Sequence, residues 1–258
     1  MFYVLSFFFG ASIGSYVLVV ATRLNVASIT KARSKCLSCG EALRAYDLVP
    51  IFSYLFLKGK CRYCKSSFGI SALMMELIYG VIFTLLYHFV LSGQSSVIDS
   101  VSWIIYYTIM FVTLGVIALY DKAHTYIPIY YLVIYLALTL GMLVMRYTDT
   151  RSIMELYAPF VVALPFFLIW LVSKGKALGF GDVILFFGVG AFFGLAQGIA
   201  VLLISIWIGA VFGAVLYFSK KESERKNMAI PFVPFIVFAF LVVLFTDIDV
   251  FSIASLFA

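Results

Sequence analysis

Two aspartates and four cysteines are the residues here whose types and spacing can do chemistry. Asp121 stands in Ala118-Leu-Tyr-Asp121-Lys-Ala-His-Thr-Tyr-Ile-Pro128, and Asp182 in Leu178-Gly-Phe-Gly-Asp182-Val-Ile, 61 residues further on. Two carboxylates at one site can share a proton, the ionised one deprotonating a water while the protonated one polarises a peptide carbonyl. Gly179 and Gly181, having no Cβ, let a backbone approach Asp182 and allow unusual dihedrals beside it. Taken singly, Asp121 reads equally as a solvated acid at a helix end and Asp182 as a helix cap, so the chemistry rests on the pair.

The cysteines form two C-x-x-C pairs, Cys36-Leu-Ser-Cys39 and Cys61-Arg-Tyr-Cys64, separated by 21 residues. A C-x-x-C turn brings two sulfurs of one tight loop to the same ion, zinc favours four thiolates in a tetrahedron, and Gly40 suits the turn after the first pair. The segment holding them has too few residues to fold on apolar burial alone, which argues independently for a metal staple. A reducing cytoplasm disfavours disulfides. A four-thiolate site leaves no position open for substrate, so this zinc is expected to be architectural.

Both groups must be positioned by elements that live in lipid. Of 258 residues, 64% are hydrophobic and 12% charged, and the mean hydropathy is +1.12, which excludes a soluble globule. Eight apolar stretches, each long enough for a bilayer core of about 30 Å, are expected as spans: residues 2–22, 72–91, 101–120, 127–145, 153–172, 183–198, 199–218 and 230–245. Gly188, Gly190, Gly194 and Gly198 interrupt the sixth and seventh without a charge to mark a turn, so seven or eight spans are open there. The first span lacks a basic residue before it and a small-residue cleavage site after it, and is expected to stay as an anchor.

Charge sets the orientation. With both termini outside, the inside segments 23–71, 121–126, 173–182 and 219–229 hold 9, 1, 2 and 4 Lys or Arg, 16 of the chain's 18, as the positive-inside bias demands. Asp121 and Asp182 then share the cytoplasmic face with the cysteine loop. The net charge of +6 is accounted for by topology and anionic lipid headgroups, leaving no call for nucleic acid. No internal repeat stands out. The expected fold is an all-α polytopic membrane protein with about eight helices: a first helix at 1–22, a small zinc-ribbon-like domain at 23–71, and a membrane-embedded catalytic domain at 72–258.

Other constellations are weaker. Glu76, near the inner end of the second span, is expensive unless paired, and either binds a basic group, orders the inner loop or sits at the interface. His124 reads mainly as an interfacial residue and secondarily as a neighbour tuning Asp121, and with only two histidines in the chain a Ser-His-Asp triad has little to draw on. Gly10-Ala-Ser-Ile-Gly14 lies inside an apolar span rather than at a strand-to-helix turn, so its small residues are expected to pack against a helix. A transporter would line a pathway with midplane carboxylates, and none lies there. Retention of both aspartates argues against a non-catalytic assembly platform.

Several of these segments resemble the bacterial type IV prepilin peptidase family, and the match covers most of the chain. Gly14-Ser-Tyr-Val-Leu-Val-Val-Ala-Thr-Arg23-Leu is similar to the family's opening G-S-F-x-N-V-V-x-x-R-L. Residues 33–64 resemble its cysteine loop, Glu76 its glutamate after that loop, Asp121 with Pro128 its first aspartate motif, Gly179-Phe-Gly-Asp182 its G-x-G-D, and Ile230-Pro-Phe-Val-Pro-Phe235 its late I-P-F-G-P-F. Leu18, Leu37, Ala123 and Ile184 depart from the pattern without removing a catalytic group. The resemblance implies a GxGD-type aspartic peptidase of the bacterial inner membrane that removes the basic leader of type IV prepilins or pseudopilins at the cytoplasmic face. It also implies N-methylation of the new N-terminus with S-adenosylmethionine, an activity tied to the cysteine region. No residue is assigned to that cofactor, because the glycine loop of a soluble methyltransferase is absent. The inner loop's 9 Lys or Arg against Glu41 and Asp47 suit a basic leader poorly, so the substrate's apolar helix is expected to supply most of the binding. Which pilin is cut and whether the protein oligomerises are not legible in the residues.

Overall fold

A backbone in hydrocarbon must satisfy its own N–H and C=O groups, and for a single apolar segment the helix does so. A computed structural model of the protein describes residues 1–24, 33–36, 38–93, 96–176, 178–219 and 230–255. Lys31, Leu37 and the basic segment 220–229 lie outside the described residues. Among those described, the elements are α1 (Phe2–Arg23), a 3₁₀ turn (Ala45–Leu48), α2 (Phe52–Phe56), α3 (Ser71–Gly93), α4 (Val97–His124), α5 (Ile129–Thr150), α6 (Ile153–Ser173), α7 (Phe180–Ser219), α8 (Val233–Thr246) and α9 (Val250–Ala254). Two isolated bridges, and no strand among these residues, accompany them.

Six helices, α1 and α3 to α7, are long and apolar enough to cross a membrane, while the apolar α8 has 14 residues. The expected sixth and seventh spans both fall inside α7, whose 40 residues contain one non-helical position, Gly194, at φ 76° and ψ −166°. Only glycine populates that backbone region readily. A straight helix would hold Asp182 and Gly209 about 40 Å apart at 1.5 Å per residue, yet both line one cavity. The helix therefore doubles back at Gly194. Consistent with this, a Cβ on Gly198 would lie 3.5 Å from the Cα of Gly190 on the opposite arm.

The chain forms two compact units, Met1–Val112 and Thr113–Ala258. In the first, α1 lies on α3 through the Gly10-x-x-x-Gly14 face. A Cβ on Gly10 would strike the Tyr79 carbonyl oxygen, and one on Gly14 that of Met75, so these small residues let two backbones touch. The Tyr79 hydroxyl donates to the Phe111 carbonyl at 2.7 Å, satisfying a phenol that packing has buried. In the second unit, α6, α8 and α5 pack around the two arms of α7.

The reversal of α7 is held from outside by Arg146 of α5, whose guanidinium makes paired bonds of 3.0 and 3.1 Å to Glu155 of α6. A Cβ at Gly194 would run into that guanidinium and lie 3.1 Å from the Glu155 carboxylate. Gly194→Ala is thus opposed by both dihedral and space. It is expected to cost at least about 1–3 kcal/mol, read as a lowered thermal unfolding midpoint of the detergent-solubilised protein. An unchanged midpoint would show that the reversal does not require glycine.

Candidate functional site

Asp121 lies in the last turn of α4 and Asp182 in the first turn of α7. Both line one cavity of about 870 Å³ in the second unit. Its other walls are the 125–127 loop, the start of α5, the end of α6 (Phe166, Ile169), the second arm of α7 (Ile206, Gly209) and the entry to α8 (residues 230–235). Apolar side chains dominate these walls, and the two acids are close enough for the charge on one to act on the other.

Asp121 is 7% exposed. Its Oδ2 accepts the N–H of Val233, the first residue of α8, at 3.2 Å, and the Phe232 N–H also bears on the carboxylate. An anion at a helix N-terminus meets unused N–H donors and the positive end of the helix dipole. The late Ile-Pro-Phe-Val-Pro segment thereby acquires a physical role. Phe232 packs with Phe166 and Phe186 at ring-centroid distances of 5.5 and 6.3 Å, which aims the following amide at Asp121. Pro234 in the first turn of α8 costs no intrahelical bond.

Asp182 is half-buried and takes the Gly179 N–H. Neither glycine of Gly-Phe-Gly-Asp is among the glycines at positive φ. A Cβ on Gly179 would make ordinary contact with Asp182 Oδ2 at 3.6 Å, whereas one on Gly181 would lie 2.8 Å from the Ile127 side chain. Gly181 thus lets α7 start against the loop that follows Asp121. His124 is exposed, packs against Tyr120 with ring centroids 4.4 Å apart and the rings tilted by 39°, and is not among the residues lining the cavity. Tyr126, which does line it, shares a hydroxyl contact of 2.5 Å with Tyr120. Glu76 belongs to the first unit, where it accepts the Ile51 N–H at 2.7 Å.

The four cysteines also belong to the first unit, and their sulfurs lie within 4.8 Å of one another. They are free thiols. Cys36 and Cys64 Sγ are 3.7 Å apart, and a zinc tetrahedron with bonds of about 2.3 Å has edges of roughly 3.8 Å. Each pair sits on the same backbone loop. Cys36 N–H donates to Glu41 and Gly40 N–H to Cys36; 25 positions later Cys61 N–H donates to Ser66 and Lys65 N–H to Cys61. Bridges Lys35↔Ala42 and Lys60↔Ser67 close the two loops. The segment is therefore a structural repeat that the sequence reading missed, with Gly40 at φ 73° matched by Lys65 at φ 61°.

The thiols are poised for a cation. The Cys39 N–H and the Ser66 hydroxyl lower Cys36 to about 6, and the Ser66 hydroxyl lowers Cys64. Cys39 keeps the Glu41 N–H on its sulfur yet is pushed up to about 11, because desolvation and the thiols of Cys64 and Cys36 oppose another negative charge beside them. A divalent ion removes that conflict.

Residues 8–90 match the bacterial peptidase A24 N-terminal domain, and residues 96–214 match the type IV leader peptidase family. The chain belongs to the type IV leader peptidase family. It is 29% identical over 224 residues to a prepilin leader peptidase/N-methyltransferase of Vibrio cholerae, covering 84% of this chain and 83% of the relative. A Bacillus subtilis protein of the same name is 27% identical, with 88% of each chain covered, and one from Stutzerimonas stutzeri is 28% identical over 80% of this chain and 69% of its own. No solved structure matches.

For this leader peptidase family member, purification without chelator is expected to yield about one zinc per chain by elemental analysis. Cys36→Ser, which removes a buried ligand, should lower that content at least tenfold, because three remaining thiolates bind far more weakly. Full zinc retention in the variant would exclude Cys36 as a ligand.

Proposed function

We propose that the protein is an aspartic endopeptidase that removes the basic leader of type IV prepilins or pseudopilins at the cytoplasmic face of the bacterial inner membrane and N-methylates the new N-terminus. The observation that carries this reading is the convergence of Asp121 and Asp182 on one apolar-walled cavity, in a chain whose relatives are named for that activity.

In the proposed reaction, the ionised aspartate takes a proton from a water whose oxygen attacks the scissile carbonyl carbon, while the protonated one donates to the carbonyl oxygen. As the C–N bond breaks, the leaving nitrogen takes up a proton and becomes the new α-amine. Phe166, Ile169, Ile206 and Phe235 offer the cavity's apolar surface to the substrate's helix, in keeping with the poor match between a basic leader and a basic inner loop. Eight crossings, counting each arm of α7 and α8 as one, would put the ends of α4 and α6 and the starts of α5, α7 and α8 on one face. The positive-inside charge distribution supports a cytoplasmic placement of that face.

Cys36, Cys39, Cys61 and Cys64 would hold one zinc that staples the inner loop and takes no part in cleavage. S-adenosylmethionine, when bound, supplies the methyl group. On this reading the chain divides into an anchoring helix over 1–22, the zinc-stapled loop over 23–71 and a membrane-embedded domain over 72–258, of which the residues after 112 carry the peptidase cavity.

Asp121→Asn and Asp182→Asn are each expected to reduce leader cleavage by at least about 1,000-fold while the protein still folds in the membrane, as judged by its thermal midpoint. Cleavage retained in either variant would refute the dyad. Phe232→Ala, by loosening the amide that holds Asp121, should lower kcat about 100-fold, and Phe232→Leu, which keeps most of the apolar volume, should lower it much less. Equal kcat in both variants and the parent would show that Asp121 needs no such support.

A further inference from the structure

The proposed peptidase chemistry uses only the second unit, yet the first unit buries a carboxylate of its own. Glu76, one turn into α3, is 6% exposed. The Ile51 N–H donates to its Oε2 at 2.7 Å, and the Ser15 hydroxyl of α1 donates to the same carboxylate. Neither donor carries charge. The ion pairs among the described residues, Arg62–Asp47 and Arg146–Glu155, do not involve it.

Its main-chain partner is unusual. Ile51 has φ 66° and ψ −54°, and the Phe52 N–H donates to the Pro50 carbonyl across it at 2.7 Å. This is a three-residue γ-turn of the rare positive-φ hand, centred on a β-branched residue that disfavours it. Strain of this kind persists only where surrounding contacts hold it, and it clusters at functional sites. Here the holding contact is Glu76.

Beside the turn lies a cavity of about 250 Å³ lined by Ser15, Asp47, Tyr54, Leu57, Phe68 and Glu76, among others. Asp47 is already spent, Oδ1 on the Arg62 side chain at 2.7 Å and Oδ2 on the Arg44 N–H at 3.3 Å. Tyr54 is the remaining titratable group on the wall. Among the described residues, Glu76 is thus the one acid there without a cation. A volume below the roughly 300–1,000 Å³ of drug-sized ligand sites suits a single terminal residue and does not fit a whole adenosyl group. An acid in a small, partly apolar pocket recognises a primary ammonium on a short apolar body.

Resting on the proposed cleavage and methylation, we infer that this cavity receives the free α-amine of the cleaved product and that Glu76 takes its proton. An α-ammonium has no lone pair to donate, so it must first lose a proton, and the Glu76 carboxylate accepts it. A sulfonium donor, which would have to be held outside this cavity, would then supply the methyl carbon to the freed lone pair, its C–S electron pair leaving on sulfur as a neutral thioether and the positive charge passing to the nitrogen. Ser15 and the Ile51 N–H hold the carboxylate in place for this.

The test gives full-length protein a synthetic pilin peptide that already lacks its leader, with S-adenosylmethionine labelled in the methyl group. Glu76→Gln keeps an oxygen for the Ile51 N–H but cannot take a proton. At neutral pH it should lose about 100-fold in methyl incorporation while cleaving intact prepilin within about twofold of the parent. At pH 9, above the roughly 7.7–8.0 of a free α-amine, the amine deprotonates unaided and most of the incorporation should return. Without any methyl donor, the peptide should bind the variant about tenfold more weakly, and N-acetylated peptide should bind both proteins equally weakly. Unchanged incorporation in Glu76→Gln overturns the assignment. So does a loss that pH 9 does not restore, which would mark a purely structural role, or loss of incorporation in Asp182→Asn, which would place the amine at the aspartates. A parent that methylates this peptide but cannot cleave prepilin would instead sink the peptidase reading and leave this one standing.

Discussion

The aspartate cavity depends on the reversal of α7 at Gly194. Asp182 opens the first arm and Gly209 belongs to the second, and they line one cavity because the helix folds back between them. The required dihedral, φ 76° with ψ −166°, is open to glycine and nearly closed to other residues. In water an exposed loop would make such a turn. In lipid the unsatisfied groups of a loop are costly, so a single glycine between two helical arms, braced by the Arg146–Glu155 pair, makes it with the fewest unpaired backbone groups. The same reversal sets α8 in place, since its entry packs Phe232 against Phe186 of the first arm and so brings the Val233 amide to Asp121.

Much of this was legible in the residues. Apolar stretches of span length and sparse charge announce helices in lipid, and paired C-x-x-C motifs announce a cluster because two sulfurs three positions apart share one turn. The glycine-interrupted run in α7 signalled a break, but four glycines competed for it. Only Gly194 meets the arginine of another helix, a long-range fact with no local signature. The Val233 donor to Asp121 was hidden for a related reason: it is a backbone group 112 residues away, and the side chains flanking it say nothing about where its N–H points.

The cysteine segment was misread in the opposite direction. Compared letter by letter, residues 34–43 and 59–68 share little beyond Lys-Cys-x-x-Cys, and no repeat stands out. Their backbones nevertheless make the same bonds at the same offsets. The geometry is imposed by what two thiols of one loop need in order to face a common ion, and Lys65 can occupy the left-handed position that Gly40 fills more easily. In the Gly-Phe-Gly-Asp stretch, by contrast, glycine suggested unusual dihedrals where the structure uses Gly181 for closeness to Ile127. A glycine signals absence of a Cβ, and sequence alone does not say whether backbone freedom or space is the reason.

The acids of the chain separate by what satisfies them. Asp47 and Glu155 each hold an arginine, Arg62 and Arg146. A carboxylate so paired is electrically spent, and removing it would leave a costly unpartnered cation. Asp121, Asp182 and Glu76 are held by backbone N–H groups: those of Val233 and Phe232, of Gly179, and of Ile51. Such donors fix the position of a carboxylate without bringing a formal positive charge, so its capacity to attract and move a proton survives burial. Asp249 shows that the donor alone is insufficient, because it takes the Ser252 N–H as a plain cap of α9. Asp249 also opens onto a cavity, but one walled in part by Arg146, whereas no Lys or Arg is among the residues lining the cavities of the other three. In a protein this poor in charge, a buried acid with backbone donors, no arginine and adjoining empty space is the combination that ordinary packing has least reason to produce.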